Sequence, residues 1–283
     1  MTRHLLFLLT STFLMAETIH SSISTYYEHK SFKDSVQKKD GMVYGLGIDF
    51  HAKEYEFKLA YEYGETNTKQ PPLPDDLNTQ KAFFRFAYQF DRRFALNVNY
   101  IGILKDNLAE TDGGIAFGGG GTYNFSKKFS TNFTQYFTDY KKFDVFQSDL
   151  KITYKTRVGK IKTDISSITK YISLHDNEMQ SQFIKNAQEK YLTSGLKVHS
   201  RFGGYHLGLG AYFGKRAFAV MDDGFKIQHH AMEFDRTFAF GFGKNISNFV
   251  IRAQYIYQRA EELPMQNKNM TINNFRLIAN YRL

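Results

Sequence analysis

The sequence predicts an all-β fold: a single closed antiparallel β-barrel of about fourteen strands that crosses a membrane. Three observations predict it. Apolar residues recur at every second position in many segments of about ten residues or more, the connections between these segments fall into short and long classes, and the number of segments is even. Closure of such a barrel pairs every backbone group within the bilayer, which an open sheet cannot do.

The period of two is clearest in the segment KEYEFKLAYEYGE, residues 53–65. There Tyr55, Phe57, Leu59, Tyr61 and Tyr63 alternate with residues that are mostly charged. Side chains alternate across a strand, so each such segment has one apolar and one polar face. By the same pattern, strands are predicted near residues 18–29, 42–51, 54–64, 81–91, 93–104, 114–125, 128–138, 146–156, 160–172, 190–199, 203–213, 230–243, 248–259 and 271–283.

The connections separate these strands in a regular order. Short turns are predicted near residues 52, 92, 126, 158, 201 and 245, and the alternate links are longer and polar. A soluble β-sandwich also alternates apolar and polar residues, but its strands are shorter and its connections do not sort into two classes. The sorting favours a membrane barrel, with its apolar face toward lipid and its polar face toward a lumen.

Composition excludes several other classes of protein. The 283 residues include no cysteine, so disulfides and thiolate metal sites are absent, and 17% of the residues are aromatic. The formal charge of +9 would suit a nucleic-acid-binding protein. However, the basic residues are dispersed and form no recognisable motif, so we expect no nucleic-acid partner.

The first sixteen residues are typical of a secretory signal peptide. Arg3 and His4 supply a positive start, an apolar stretch follows at residues 5–15, and Ala16 is a small residue at a plausible cleavage point. A buried N-terminal helix or strand is the alternative. We therefore expect a signal peptide at residues 1–16 and a barrel at residues 17–283. No later apolar run approaches the roughly 18 residues of a transmembrane helix.

The final segment, NNFRLIANYRL, has apolar residues at alternate positions from Phe275 to Leu283. With this strand, the mature chain resembles a bacterial outer-membrane β-barrel of the porin-like kind. The resemblance implies an integral protein of the Gram-negative outer membrane, with periplasmic termini and turns and seven extracellular loops. It also implies lipid and lipopolysaccharide as partners, and recognition of Phe275–Leu283 by the barrel-assembly machinery. Leu283 departs from the family, in which phenylalanine is usual at that position. We expect this segment to close the cylinder.

The lumen of a fourteen-stranded barrel lies between the filled interior of eight strands and the water channel of sixteen or more. Small residues on the inward face favour open space, namely Gly45, Gly47, Ala116, Gly118, Gly120, Gly208 and Gly210. The inward charges are of both signs, and they either hold a field across the pore or pair with one another. The candidate pore-lining residues are Lys58, Arg85, Glu56, Glu62, Lys151, Asp164, Asp235, Arg252 and Arg276.

The leading functional hypothesis is a porin-like channel for passive diffusion of small hydrophilic solutes, with a weak anion preference from mid-strand arginines. A substrate-specific transporter and a structural or adhesive barrel with a blocked lumen are the alternatives. Two loops, 173–189 and 214–229, are able to close the lumen, although an exposed position is favoured for each. The first has helical spacing of Met179, Phe183, Ile184 and Ala187 after a possible cap at Asn177.

Catalytic residues are not recognisable in the sequence. His20 and Ser22 share a strand face but have no evident third partner. In an extended strand His229 would converge with Glu233 and Asp235, whereas His230 would point to the opposite face. A pH-sensitive base is favoured there over a set of metal ligands. We expect no enzyme activity, no cofactor and no bound metal.

Overall fold

The computed structural model describes residues 20–70, 73, 75–108, 110–176, 184 and 186–283. The expected signal peptide and most of the helical pattern in loop 173–189 lie outside the described residues. Among the described residues, no helix is long and apolar enough to cross a membrane.

Fourteen long strands form one closed barrel, as the sequence predicted. Two further short strands, β12 (Val220–Met221) and β13 (Lys226–Ile227), pair only with each other, and short 3-10 turns lie at Asp222–Gly224 and Leu263–Met265. The barrel strands are β1 (His20–Lys33), β2 (Lys38–His51), β3 (Tyr55–Thr68), β4 (Leu77–Gln89), β5 (Phe94–Asp106), β6 (Ile115–Asn124), β7 (Phe129–Asp139), β8 (Phe143–Val158), β9 (Ile161–Asp176), β10 (Lys190–Phe202), β11 (Tyr205–Arg216), β14 (Met232–Ile246), β15 (Phe249–Glu262) and β16 (Asn267–Arg282).

Consecutive barrel strands pair in antiparallel fashion, and β11 pairs directly with β14 because β12 and β13 leave the wall. The last strand closes the cylinder on the first, in a register that runs from Ser22 opposite Arg282 to Lys33 opposite Thr271. This confirms the role expected of the final segment. We call the end of the barrel with the short connections the turn end and the opposite end the loop end.

The two faces of the wall are assigned as the alternation predicted. Large apolar side chains such as Leu59, Phe117 and Phe240 are exposed on the outer face. Lys58 lies opposite Arg85 on the inner face, and both approach the carboxylate of Glu56, at 3.3 Å and 3.7 Å. Because apolar residues meet lipid while charged ones meet the lumen, the wall suits a bilayer.

Aromatic rings cluster at the turn end on the outer face. Contacting pairs include Tyr55 with Tyr88, Phe90 with Phe94, Phe125 with Phe129, Phe202 with Tyr205, and Phe249 with Tyr281. Aromatic side chains are favoured at the level of lipid headgroups, where an apolar body can carry a polar edge. Part of the high aromatic content of the sequence therefore forms one girdle at the lipid–water interface.

The inward glycines do not all leave space for water, which corrects the reasoning from the sequence. Gly118 lies directly opposite Tyr136, and Gly45 lies directly opposite Tyr26; in each pair the tyrosine ring occupies the space where a Cβ would stand. Packing an aromatic ring over a glycine on the neighbouring strand stabilises sheets that curve strongly. Gly208 differs, because a Cβ there would lie 3.9 Å from the carbonyl oxygen of Gly241 and close to no other atom of the described residues.

This difference yields a matched pair of substitutions. Gly118→Ala is expected to destabilise the folded barrel by about 1–3 kcal/mol, because its methyl group overlaps the ring of Tyr136 and overpacks the wall. Gly208→Ala, on the same face, is expected to be tolerated. Urea titration of both variants in lipid vesicles measures the difference. Equal stability of the two variants would show that the tyrosine ring turns away without cost.

Candidate functional site

The segment of residues 217–231, here called the inner hairpin, lies inside the barrel. It consists of β12, the turn at Asp222–Gly224 and β13, and it connects β11 to β14. Ala217, Phe218 and Ala219 are fully buried. The expectation that loop 214–229 is exposed is therefore wrong. Its unusually apolar sequence reflects contact with the inner wall rather than a surface position.

The inner hairpin packs against an apolar half of the lumen. The ring of Phe218 lies 4.9 Å from that of Phe143 and 6.1 Å from that of Tyr140. Buried apolar side chains of the wall share this cluster, namely Phe83, Ile101, Ile103, Ala116, Tyr136, Val145, Ile168 and Ile172. On this side the loop-end lumen is consequently apolar, where the alternation had predicted a polar lining throughout. The opposite side keeps buried charged residues such as Glu62 and Lys81.

Phe218 adopts a left-handed backbone conformation, with φ at 54°. For a bulky residue this conformation costs on the order of 1–3 kcal/mol and persists only where surrounding contacts enforce it. The aromatic contacts with Phe143 and Tyr140 supply that enforcement. The base of the inner hairpin is thus strained in the position that fills the lumen.

Polar contacts hold the first strand of the inner hairpin to the wall. The backbone N–H of Val220 donates to Oε1 of Gln147 at 2.8 Å, and Nε2 of Gln147 donates to the carbonyl of Val220 at 2.7 Å. Lys170 donates to the same carbonyl at 3.0 Å and is paired with Asp149. These bonds satisfy the backbone of Val220 without joining it to a barrel strand.

The tip of the inner hairpin reaches the middle of the wall strands. Asp222 pairs with Lys197 of β10 at 2.8 Å, and Asp223 pairs with Lys151 of β8 at 2.8 Å. These side chains are partly exposed, so each pair contributes modestly to stability. The tip is held by contacts that water can replace, whereas the base is held by an apolar core.

Cavities with charged residues in their walls occupy the lumen beside the inner hairpin and toward the turn end. One of about 310 Å³ is lined by Arg85, Lys151, Asp164 and Asp223, among others. A second of about 370 Å³ lies at the turn end beside Glu56 and Arg85. A third of about 410 Å³ has Gly208, Gly210 and Arg276 in its wall. Here the small inward residues of β11 do leave space, as the sequence suggested.

The remaining candidate pore-lining residues differ in their surroundings. Glu62 is buried and accepts a hydrogen bond from Lys81 at 2.5 Å. Arg276 forms a two-point contact with the buried carboxylate of Glu28, with Nε at 2.6 Å. Arg252 has no acidic partner among the residues that the structure describes, and its Nε makes no hydrogen bond. Whether any of these residues lines an ion path stays a prediction.

Asp235 is placed differently from its predicted inward position. The pairing of β14 with β15 shifts between Phe234 and Arg236, which marks a β-bulge. The carboxylate of Asp235 lies 3.5 Å from Arg236 and 3.7 Å from Arg259. Arg259 shares the outer parity of β15 with the exposed Tyr255. A bulge inserts one residue and reverses the alternation beyond it, which a strict period of two does not foresee.

A second cluster lies where the inner hairpin rejoins the wall. Nε2 of His229 is 3.2 Å from Oδ2 of Asp106, at the end of β5, and Nε2 of His230 is 3.7 Å from the same oxygen. Burial lowers the pKa of both imidazoles below the usual value of 6.5. The sequence suggested instead a convergence of His229 with Glu233 and Asp235. That reasoning failed because residues 228–231 are not an extended strand.

Comparison with known proteins supports the fold of the chain but identifies no related protein by sequence. No protein-family description and no curated protein matches the sequence. Among solved structures, a bacterial polysaccharide outer membrane secretin is 8% identical with a TM-score of 0.55, covering 92% of this chain and 98% of its own. The chain has the outer-membrane β-barrel fold.

Two proteins of Pseudomonas aeruginosa show a weaker likeness. OccK8 (OprE) is 10% identical with a TM-score of 0.46, and the match covers 95% of this chain and 98% of that one. The outer membrane protein OpdK is 10% identical with a TM-score of 0.43, covering 95% and 100%. At these scores the likeness carries no inference about solutes or mechanism.

Proposed function

We propose that this protein is an outer-membrane channel of the porin type for passive diffusion of small hydrophilic solutes, and that its inner hairpin acts as the gate. The observation that carries the proposal is the division of the lumen. Two charged cavities of about 310 and 370 Å³ occupy the turn-end part, while a separate chain segment fills most of the loop-end part and leaves a cavity of only about 80 Å³ beside Glu62 and Lys81. The conformation described is then the closed one.

The contacts of the inner hairpin suit a segment that can leave the lumen better than one that blocks the lumen permanently. Its two strands pair only with each other, so displacement leaves every strand pair of the barrel wall intact. The tip is held by two partly exposed ion pairs, and Phe218 at the base is strained. These features lower the cost of leaving the lumen, which supports a channel over a structural barrel with a permanently blocked lumen.

Location and partners follow from the same proposal. The protein would be exported by its signal peptide, assembled through Phe275–Leu283 and surrounded by lipid and lipopolysaccharide. In support, Phe275, Leu277 and Tyr281 are exposed on the outer face of β16, available to lipid or to the assembly machinery.

The gate is tested by a reversible cross-link between its tip and the wall. The natural chain has no cysteine, so Asp223→Cys and Lys151→Cys together introduce one defined pair. A bis-methanethiosulfonate reagent matched to the length of the ion pair joins the two thiols through disulfides and is expected to abolish openings in planar bilayers. A reductant cleaves these disulfides and is expected to restore the openings. The single-cysteine variants are the controls. Openings that persist after complete cross-linking would show that solutes do not pass the inner hairpin.

A weak anion preference is also part of the proposal, and among the mid-strand cations Lys58, Arg85, Arg252 and Arg276 it is best supported by Arg252. The guanidinium stays charged at working pH and has no acidic partner among the described residues, whereas Arg276 is neutralised by Glu28. Arg252→Gln is expected to shift the reversal potential in a salt gradient slightly toward cations, with a smaller shift at high ionic strength. An unchanged potential at low salt would place Arg252 outside the ion path.

A further inference from the structure

A buried group of two imidazoles and one carboxylate lies at the base of the inner hairpin. One ligand atom from each of Asp106, His229 and His230 can be chosen so that all three lie within 4.8 Å of one another. The side chains of Asp106 and His229 are 0% and 7% exposed. Two ligands that bind a tetrahedral ion at about 2.0–2.1 Å lie roughly 3.3 Å apart. The separations of 3.2 Å and 3.7 Å from Oδ2 of Asp106 bracket this value.

The surroundings orient Asp106 and His229 as metal ligands are usually oriented. Nδ1 of His229 lies 3.4 Å from the carbonyl oxygen of Ile227, which favours the proton on Nδ1 and leaves a lone pair on Nε2. Asp106 accepts hydrogen bonds from the hydroxyl of Thr111 at 2.7 Å and from the N–H of Leu108 at 3.0 Å. Such outer contacts fix the tautomer of a histidine ligand and the direction of a carboxylate ligand.

This arrangement leaves a lone pair of His229 facing a carboxylate oxygen in a buried space. Neither Nε2 of His229 nor Nε2 of His230 has a hydrogen-bond partner of acceptable geometry. Two facing acceptors repel each other unless a cation, either a proton or a metal ion, lies between them. Two imidazoles and one carboxylate form a ligand set that suits zinc and similar divalent transition metals, with a coordination position left open.

We propose that Asp106, His229 and His230 bind one divalent transition-metal ion, with Zn²⁺ as the reference ion. Asp106 belongs to the barrel wall, whereas both histidines belong to the inner hairpin. The ion therefore ties the base of the inner hairpin to the end of β5. Metal binding stabilises the state in which the lumen is filled, because displacement of the hairpin separates the ligands.

Lys38 is the competing cation at this site. Its Nζ lies 3.3 Å from Nδ1 of His230 and 3.5 Å from Sδ of Met232. When the Lys38 ammonium donates to Nδ1 of a neutral His230, the imidazole carries its own proton on Nε2. A metal ion can bind Nε2 only after this proton leaves, and the Lys38 ammonium must then turn away from Nδ1. Lys81 adds a further positive charge near His229. Loss of the Lys38 charge should therefore favour the metal.

Zinc titration by calorimetry tests the site in the mature, untagged protein, folded in detergent and stripped with a chelator. One Zn²⁺ per chain is expected. His229→Ala, His230→Ala and Asp106→Asn are each expected to weaken binding at least ~tenfold, and Lys38→Met is expected to strengthen it. His175→Ala removes an exposed histidine that packs on Phe146 and serves as the matched control. Far-UV circular dichroism checks that each variant is folded.

Absence of binding at millimolar Zn²⁺ would overturn the proposal, as would binding that the three ligand variants leave unchanged. An affinity that Lys38→Met does not raise would overturn Nε2 of His230 as a ligand. Cobalt(II) gives a second readout, since visible bands of tetrahedral intensity are expected in the natural chain and not in His229→Ala. The titration does not use conductance, so a silent bilayer would count against the proposed channel and leave the metal site standing.

Discussion

Replacement of residues 218–229 by a Gly-Ser-Gly-Gly linker is expected to raise single-channel conductance at least ~tenfold, the largest effect that the structure suggests. The deletion removes Phe218, Val220, Met221 and Ile227 from the filled part of the lumen. A fourteen-stranded barrel without an internal segment is wide enough for water, being closer to the open sixteen-stranded porins than to filled eight-stranded barrels.

The barrel itself is expected to survive this replacement. The carbonyl of Ala219 accepts a hydrogen bond from the N–H of Gln228 at 2.9 Å, so the two sides of the inner hairpin are adjacent and a short linker can join them. Each apolar side chain removed costs roughly 1.5–3 kcal/mol of buried contact. The backbone pairing of the wall, including β11 with β14, does not depend on it.

A control separates gating from loop removal in general. The same linker in place of residues 70–75, between β3 and β4, shortens another loop-end connection, in which Gln70 and Asp75 are exposed. This control is expected to keep the conductance of the natural chain. Bilayer recordings of the three proteins, with circular dichroism as a check of folding, make the comparison. A folded truncated barrel no more conductive than the natural chain would favour the structural-barrel alternative.

Much of the barrel wall could be predicted because the alternation of apolar and polar residues is visible within the sequence of each strand alone. The alternation in residues 53–65 depends only on which side of β3 faces lipid, and no distant residue is needed to recognise it. Local rules fail where the alternation is interrupted. The bulge before Arg236 turned Asp235 away from its expected face, and the only sign of it in the sequence of this segment is the charged Arg236 among apolar residues of the same parity.

The candidate site could not be predicted for a different reason. Phe218 belongs to an apolar cluster whose members come from strands β4 to β11, and these strands come together only when the barrel closes. Asp106 likewise meets His229 across more than a hundred residues. The available signal was the apolar sequence of residues 215–225, which is unusual for a surface loop. Its meaning depended on whether the lumen offered an apolar wall, which the inward Phe83 and Ile101 provide.

Arg276→Gln is expected to destabilise the barrel by about 3 kcal/mol, the second large effect, because it leaves a buried carboxylate without its principal partner. Glu28 is 1% exposed, and Arg276 contacts it through two nitrogens. In Arg276→Gln, the ammonium groups of Lys30 and Lys226 remain 3.8 Å from the Glu28 carboxylate and offset part of the lost attraction. The expected loss of stability is therefore at the low end of the roughly 3–5 kcal/mol that breaking a buried ion pair costs. The urea midpoint for unfolding from lipid vesicles measures it.

The pair of Arg201 with Asp164 provides the matched control. Its separation of 2.7 Å is similar, but its side chains are 45% and 27% exposed, so Arg201→Gln is expected to cost less than about 1 kcal/mol. Adding Glu28→Gln to Arg276→Gln is expected to recover part of the lost stability, since the buried carboxylate is then removed, while Lys30 and Lys226 lose the partner that they share. Equal costs for Arg276→Gln and Arg201→Gln would mean that Glu28 is hydrated or protonated. Recovery in the double variant would instead assign Arg276 to the stability of the wall, and leave Arg252, rather than Arg276, as a mid-strand arginine that can act on passing ions.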